Sequence, residues 1–194
     1  MARYTGPKWK ISRRENADVF GDDKWRKRPY PPGQHTMSKG RPSNYAVQFR
    51  EKQKVKRMYG LLEKQFRNLY NKATRKTGNT GTILLQLLEM RLDNVVYRLG
   101  LANSRNQARQ FVTHGHVTVN GNKVTIPSYN VSIDDTVELS TKFSKNEAVK
   151  LIKAENKSNP VPEWLQGNKV KSVPTRDMMD GSIKEQLIIE LYSR

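Results

Sequence analysis

Residues 1–43 show almost no hydrophobic periodicity. Prolines, glycines and basic side chains dominate, ending in "KRPYPPGQHTMSKGRPS", and the pattern predicts an extended basic arm without a core of its own. From Asn44 the spacing turns helical. "YAVQFREKQKVKRMYG" sets Gln48, Lys52 and Lys56, and beside them Arg50, Lys54 and Arg57, at helical intervals, so one side is almost continuously basic until Gly60 ends the helix. "LLEKQFRNLYNKA" then places Leu62, Phe66, Leu69 and Ala73 at i, i+4, i+7 and i+11, an amphipathic helix facing a core. A "KTGNTG" break leads into the apolar "TILLQLLEMRL".

The texture changes again over residues 91–140. Leu92, Val95, Val96 and Leu99 share one helical face, with Arg91, Asn94 and Arg98 on the other side. After Gly100, Ser104 is an N-cap for a second helix that buries Ala108, Phe111 and Val112. Arg105 and Arg109 lie one turn apart on its opposite side, where their removal should open no cavity. "HVTVNGNKVTI" alternates around Asn120-Gly121, the strongest short hairpin signal. "YNVSIDDTVEL" predicts a second alternating pair around Asp134-Asp135. The segment thus reads as two helices followed by a small antiparallel sheet. Ser144 to Glu147 is a capping-box pattern opening "KNEAVKLIKAE". A proline-bearing, loop-rich return follows, and "SIKEQLIIELYS" spaces Ile183, Leu187 and Leu191 as a last helix, with a strand over 187–192 as the alternative.

Charge changes this picture most. Across 194 residues, 36 Lys and Arg stand against 18 Asp and Glu, a net +18. Residues 1–90 hold 21 bases and 7 acids, so the positive field belongs to the N-terminal half. A field of this size favours a polyanionic partner, nucleic acid first and an anionic membrane second. Tyr4, Trp9, Phe20, Trp25 and Tyr30 punctuate the arm, a composition suited to stacking on RNA rather than to a purely solvating tail. No long apolar run and no signal-peptide core are seen, so a soluble, unexported chain is expected, with no membrane partner. The chain has no cysteine, which excludes disulfides, thiolate catalysis and cysteine zinc sites.

Candidate chemistry is sparse. His114-Gly115-His116 could be a metal or catalytic pair, but an extended chain sends the two rings to opposite faces and His35 is the only other histidine. Gly115 reads instead as a hinge between helix end and strand start. "KFSKN" at 142–146 resembles a synthetase nucleotide loop and "RLD" at 91–93 a pseudouridine-synthase motif, but the domains those motifs require are missing. Neither an enzyme nor a cofactor or metal site is expected.

"MRLDNVVYRLGLANSRNQARQFVTHGHVTVNGNKVTIPSYNV" closely resembles the helix–turn–helix–hairpin RNA-binding module of the S-four type. With "MARYTGPKWKISRRE", "KRPYPPGQH", "REKQKVKRMYG", "EKQFRNLYNKA", "VPEWL" and "EQLIIELYSR", the resemblance extends over essentially the whole chain to the bacterial-type small-subunit ribosomal protein S-four family, in a zinc-free variant. It departs from the family in lacking the four arm cysteines that many members carry, and in Thr36, where "PGQHG" is usual.

The resemblance implies an α+β fold: a basic arm (1–43) ordered on RNA, a helical domain (44–90) completed by 175–194, an inserted RNA-binding module (91–156) and a return segment (157–174). It implies a cytoplasmic ribosomal constituent, or one in an organelle of bacterial origin, and not a homo-oligomer. Its partner would be the 5′ domain of 16S-type ribosomal RNA, bound early in assembly. Neighbouring proteins S-five and S-three, mRNA where it enters the subunit, and an influence on decoding accuracy come with the family.

The expected RNA-binding residues follow the same three parts. In the arm they are Arg3, Tyr4, Lys8, Arg13 and Arg14, then Lys27, Arg28, Tyr30, Gln34, His35 and Arg41. The helical domain supplies Arg50, Lys52, Lys54, Lys56, Arg57 and Arg67. In the module, Arg91 and Arg98 are joined by Ser104, Arg105, Asn106, Arg109 and Gln110, and by His114, Gly115, His116 and Lys123.

Overall fold

The structure is a computed structural model that describes residues 4–34, 40–156 and 160–193. It divides into two compact units. One is built from residues up to 81 together with those from 181 onward, and the other from residues 82–180.

The first unit is helical. Its elements are α1 (Lys8–Glu15), a 3-10 turn (Asp23–Lys27), α2 (Asn44–Met58), α3 (Glu63–Thr74) and α9 (Glu185–Tyr192), and α4 (Thr80–Glu89) starts here. Ser43 Oγ caps α2 by accepting from Ala46 N. The helix closes when Gly60, at φ 63°, lets Leu61 N reach back to Lys56 O. Val55, Phe66, Ala73 and Ile188 are fully buried, and Tyr192 stacks against Tyr70 at 4.6 Å. Leu62 is exposed and Leu61 buried in its place, because the chain is still extended at the N-cap of α3.

Within the described residues the arm does have a core, contrary to the expected extended segment. Ile11, Val19 and Trp25 are buried, and α1 packs on both the 3-10 turn and α2. The reason is local polar chemistry that hydrophobic spacing does not register. Asp18 Oδ1 accepts from the backbone of Phe20, Gly21 and Asp22, while Asp22 caps the 3-10 turn and accepts from Trp9 Nε1 at 2.9 Å. Trp25 is therefore a core residue rather than a stacking platform.

The second unit packs α5 (Leu92–Arg98) and α6 (Arg105–Thr113) with a three-stranded antiparallel sheet: β1 (Val117–Val119) lies between β2 (Asn122–Lys123) and β3 (Val137–Leu139). Val95, Val96, Ala108, Val112, Val117, Val131 and Val137 are wholly buried in a shared core. Asn120 and Gly121, both at positive φ (51° and 79°), turn the β1–β2 hairpin at the register Val119↔Asn122.

The second expected hairpin does not form. Residues 129–131 lie along 90–92 (Leu92 N to Tyr129 O and Val131 N to Met90 O, each 2.9 Å), and β3 crosses to pair with β1. Alternation predicts extended backbone but not which strand it pairs with. The return segment is also more structured than expected. β4 (Leu165–Gln166) and β5 (Lys169–Val170) form a hairpin, and Trp164, Leu165 and Val170 join the second unit's core. The turn α7 (Thr141–Ser144) precedes α8 (Glu147–Asn156), whose first N–H groups are met by Asn146 rather than by a Ser144 capping box. The open choice over 187–192 resolves as helix α9.

Candidate nucleic-acid interface

The polar side of α5 turns inward. Arg91, Asp93 and Asn94 are as buried as the apolar side, and Glu89 is about 1% exposed. Buried charge persists only when paired and hydrogen-bonded, and here the pairing is dense. Arg91 forks onto Asp93 at 3.0 and 3.2 Å, Arg98 onto Glu89 at 2.8 and 3.0 Å, and Arg109 approaches Asp93 at 3.6 Å. Asn94 ties the two halves together. Its Nδ2 donates to Glu89 Oε2 at 2.7 Å, its Oδ1 accepts from Arg105 Nε at 2.8 Å, and its backbone N donates to Asp93 Oδ1. Arg105 also lies over the Tyr97 ring at 4.7 Å. Three guanidinium groups thus share two carboxylates and a fourth, Arg105, rests on the Asn94 amide oxygen, so the cluster keeps a positive excess.

This corrects the sequence expectation for Arg109 and Arg91, which are buried ion-pair members and not an open phosphate-facing row. Arg105 is half-buried and Arg98 keeps about a quarter of its side chain exposed. The surface of α6 is formed instead by Asn106, Gln110, Thr113 and His114, at helical spacing from the Ser104 cap, whose Oγ accepts from Gln107 N.

At the end of α6 the hinge reading holds in detail. Gly115 sits at φ 72°, Gly115 N donates to Val112 O, and His116 N donates to Phe111 O, both at 2.9 Å. This bond pair reverses the chain from helix into β1 and requires a left-handed residue between cap and strand. A side chain at Gly115 would also overlap the Lys123 methylenes, so β2 packs its lysine across the hinge. The rings of His114 and His116 are 6.0 Å apart rather than on opposite faces, because His114 is a helix cap and not extended chain. Burial, and then the nearby His114 and Lys123, hold the His116 imidazole below its ordinary pKa. Among the described residues no group of three or more His, Cys, Asp or Glu could hold a metal ion.

In the first unit the predicted basic face of α2 is largely turned inward. Lys52 and Lys54 are buried, and Lys52 and Lys56 both donate to Glu63, at 2.7 and 2.8 Å. Lys54 pairs with Glu51 and also donates to Ser182 O. Arg57 and Arg50 converge on the fully buried carboxylate of Glu15. The spacing was helical as expected, but periodicity cannot reveal that acids elsewhere in the chain return to meet these cations. Glu63 is the clearest case. Burial works to raise its pKa, but donors Lys52, Lys56 and Tyr192 outweigh burial and bring it to about 2.

Much of the arm's predicted set does face solvent. Tyr4, Lys8, Arg14, Lys27, Arg28, Tyr30, Gln34 and Arg41 are exposed, as are Arg50 and Arg67 beyond it. Arg13 is half-buried and works internally, donating to Tyr30 O at 2.9 Å with its guanidinium 4.8 Å from the Tyr30 ring, while Arg14 donates to Pro32 O. Arg3 and His35 lie outside the described residues. Sequence reasoning missed Asn94, Tyr97, Glu89 and Asp93 as the scaffold of the arginines; the available signal was Asp93 two residues after Arg91 and Glu89 nine before Arg98.

No helix among the described residues is long and apolar enough to cross a membrane. Residues 3–89 match the family model for the ribosomal protein S4/S9 N-terminal domain, and residues 90–137 match the S4 domain. Over the full length of both chains, this chain is 50% identical to small ribosomal subunit protein uS4 of Cutibacterium acnes. It is 52% identical to the proteins of the same name from Christiangramia forsetii and Clostridioides difficile, again over the full length of each. A helical unit, an α5–α6 pair with its three-stranded sheet, and relatives matched end to end agree: the chain belongs to the bacterial-type uS4 family of small ribosomal subunit proteins.

Proposed function

We propose that this protein is a structural constituent of the small ribosomal subunit that binds 16S-type ribosomal RNA directly, through the RNA's 5′ domain, and acts early in assembly of the subunit body. The observation that carries the reading is the charge imbalance of the α5–α6 pair: three arginines on two carboxylates and a fourth on the Asn94 amide, behind a surface of Asn106, Gln110 and His114 with Lys123 at its edge. Such a surface suits phosphate and 2′-hydroxyl contact, and its excess charge favours a polyanion. Exposed Lys8, Lys27, Arg28 and Arg41, with the Tyr4 and Tyr30 rings, extend the RNA-binding set over the first unit. The buried members, Lys52, Lys54, Arg91 and Arg109, support the surface rather than form it.

Placement beside proteins S-five and S-three, nearness to mRNA where it enters the subunit, and an effect on decoding accuracy are part of the same proposal and rest on family membership. So does a place in the cytoplasmic ribosome. No catalytic step is assigned to any residue. Chemical footprinting of 16S-type RNA with and without the protein tests the reading. Protections should concentrate in the 5′ domain and fade with added salt. Protections confined to another domain, or none at low salt, would overturn it.

A further inference from the structure

The turn α7 carries "KFSKN", a motif that the RNA-binding set above leaves unused. Its Phe143 is half-buried and makes two ring contacts. It stacks flat on His116, with centroids 3.9 Å apart and planes 2° apart, and meets Phe111 edge-on at 4.9 Å and 73°. Ser140 N, one residue before the turn, donates to His116 O at 2.8 Å. Ring and backbone contacts therefore hold α7 against the end of α6, at the Gly115 hinge.

Lys142 and Lys145 stand on either side of Phe143, and both are exposed. Neither ammonium has a hydrogen-bond or ion-pair partner among the described residues. Glu147 is the only acid between residues 139 and 154, against four lysines. Surface lysines are ordinarily solvated, because fixing a long side chain and its backbone costs entropy. Here the backbone is already fixed by three contacts, so less ordering remains to be done when a phosphate arrives.

We propose that α7 is a further RNA-backbone contact, in which Lys142 and Lys145 engage phosphates beside those met by the α6 surface, with Phe143 and His116 setting their position. The ligand chemistry is the phosphodiester backbone, read as charge and not as base sequence. The inference rests on the RNA-binding reading, and the experiment separates the two.

Binding of the wild-type protein, Lys142→Ala with Lys145→Ala, and Lys150→Ala with Lys153→Ala to a 5′-domain RNA transcript is measured over a range of KCl. All four lysines are exposed, so neither pair should disturb folding, and the second pair removes the same charge from α8. The first pair should raise Kd about fivefold or more near ~0.1 M salt and make the log–log salt slope shallower by about 1.5–2. The second should change both far less. Equal effects from the two pairs, or an unchanged slope in the first, overturn a local contact at α7. Failure of the wild-type protein to bind overturns the RNA reading as well.

Discussion

At the scale of single residues, the arginines of α6 separate by depth. Arg109 is buried beside Asp93, whereas Arg105 is half-buried, held by Asn94 and stacked on Tyr97. Truncating Arg109 removes packed methylenes and thins the compensation of a buried carboxylate, at a cost of about 1–3 kcal/mol. Truncating Arg105 loses the hydrogen bond to Asn94 and the contact with the Tyr97 ring at the edge of the cluster, on the order of 1 kcal/mol for these contacts. Urea unfolding of Arg109→Ala and Arg105→Ala should therefore rank Arg109 as the more destabilising; the reverse order would contradict this view of the cluster. The cap at Ser104 and the reversal at Gly115 were legible in sequence because each answers a local demand of the backbone. The inward turn of Arg109 was not, because its partner Asp93 lies 16 residues away, and on a helix read by itself the position looks like surface.

At the scale of elements, α2 shows how a helix with alternating bases can be interior. Lys52 and Lys56 meet Glu63 of α3, and Tyr192 of α9 donates to the same carboxylate at 2.9 Å. The folded Glu63 titrates at about 2, below its ordinary 4.5, so it binds protons less readily folded than unfolded. Its contribution is thus present above about pH 4.5 and is lost as pH falls toward 2. Urea unfolding across pH 2–7 should show stability falling through that window, and Glu63→Gln should lower stability at neutral pH and flatten the acid limb. An acid limb equally steep in the variant would assign the loss to other carboxylates. Glu15 runs the other way: burial outweighs Arg57 and Arg50 and raises its pKa, a contribution present below 4.5 and lost as pH rises through its folded value. Helices and the Asn120-Gly121 hairpin could be read from spacing, whereas the partner of β3 and the core role of Trp164 could not, since both are decided by segments distant along the chain.

At the scale of the whole molecule, the first unit is discontinuous. Its helix α9 supplies Glu190, which accepts from Gln48 Nε2 across a separation of 142 residues, and the turn before it supplies the Ser182 carbonyl to Lys54. The second unit is one uninterrupted stretch, residues 82–180. During synthesis the order of completion is therefore inverted: the unit begun first is finished last. Until residue 181 and beyond emerge, Lys54 lacks the Ser182 carbonyl, Gln48 lacks Glu190 and the flank of α2 that α9 covers is bare, a nascent surface open to chaperones and proteases. A chain stopped after residue 180 should resist limited proteolysis over 82–180 while being cut within 44–74. Equal resistance of both stretches would mean that the first unit closes without its C-terminal helix.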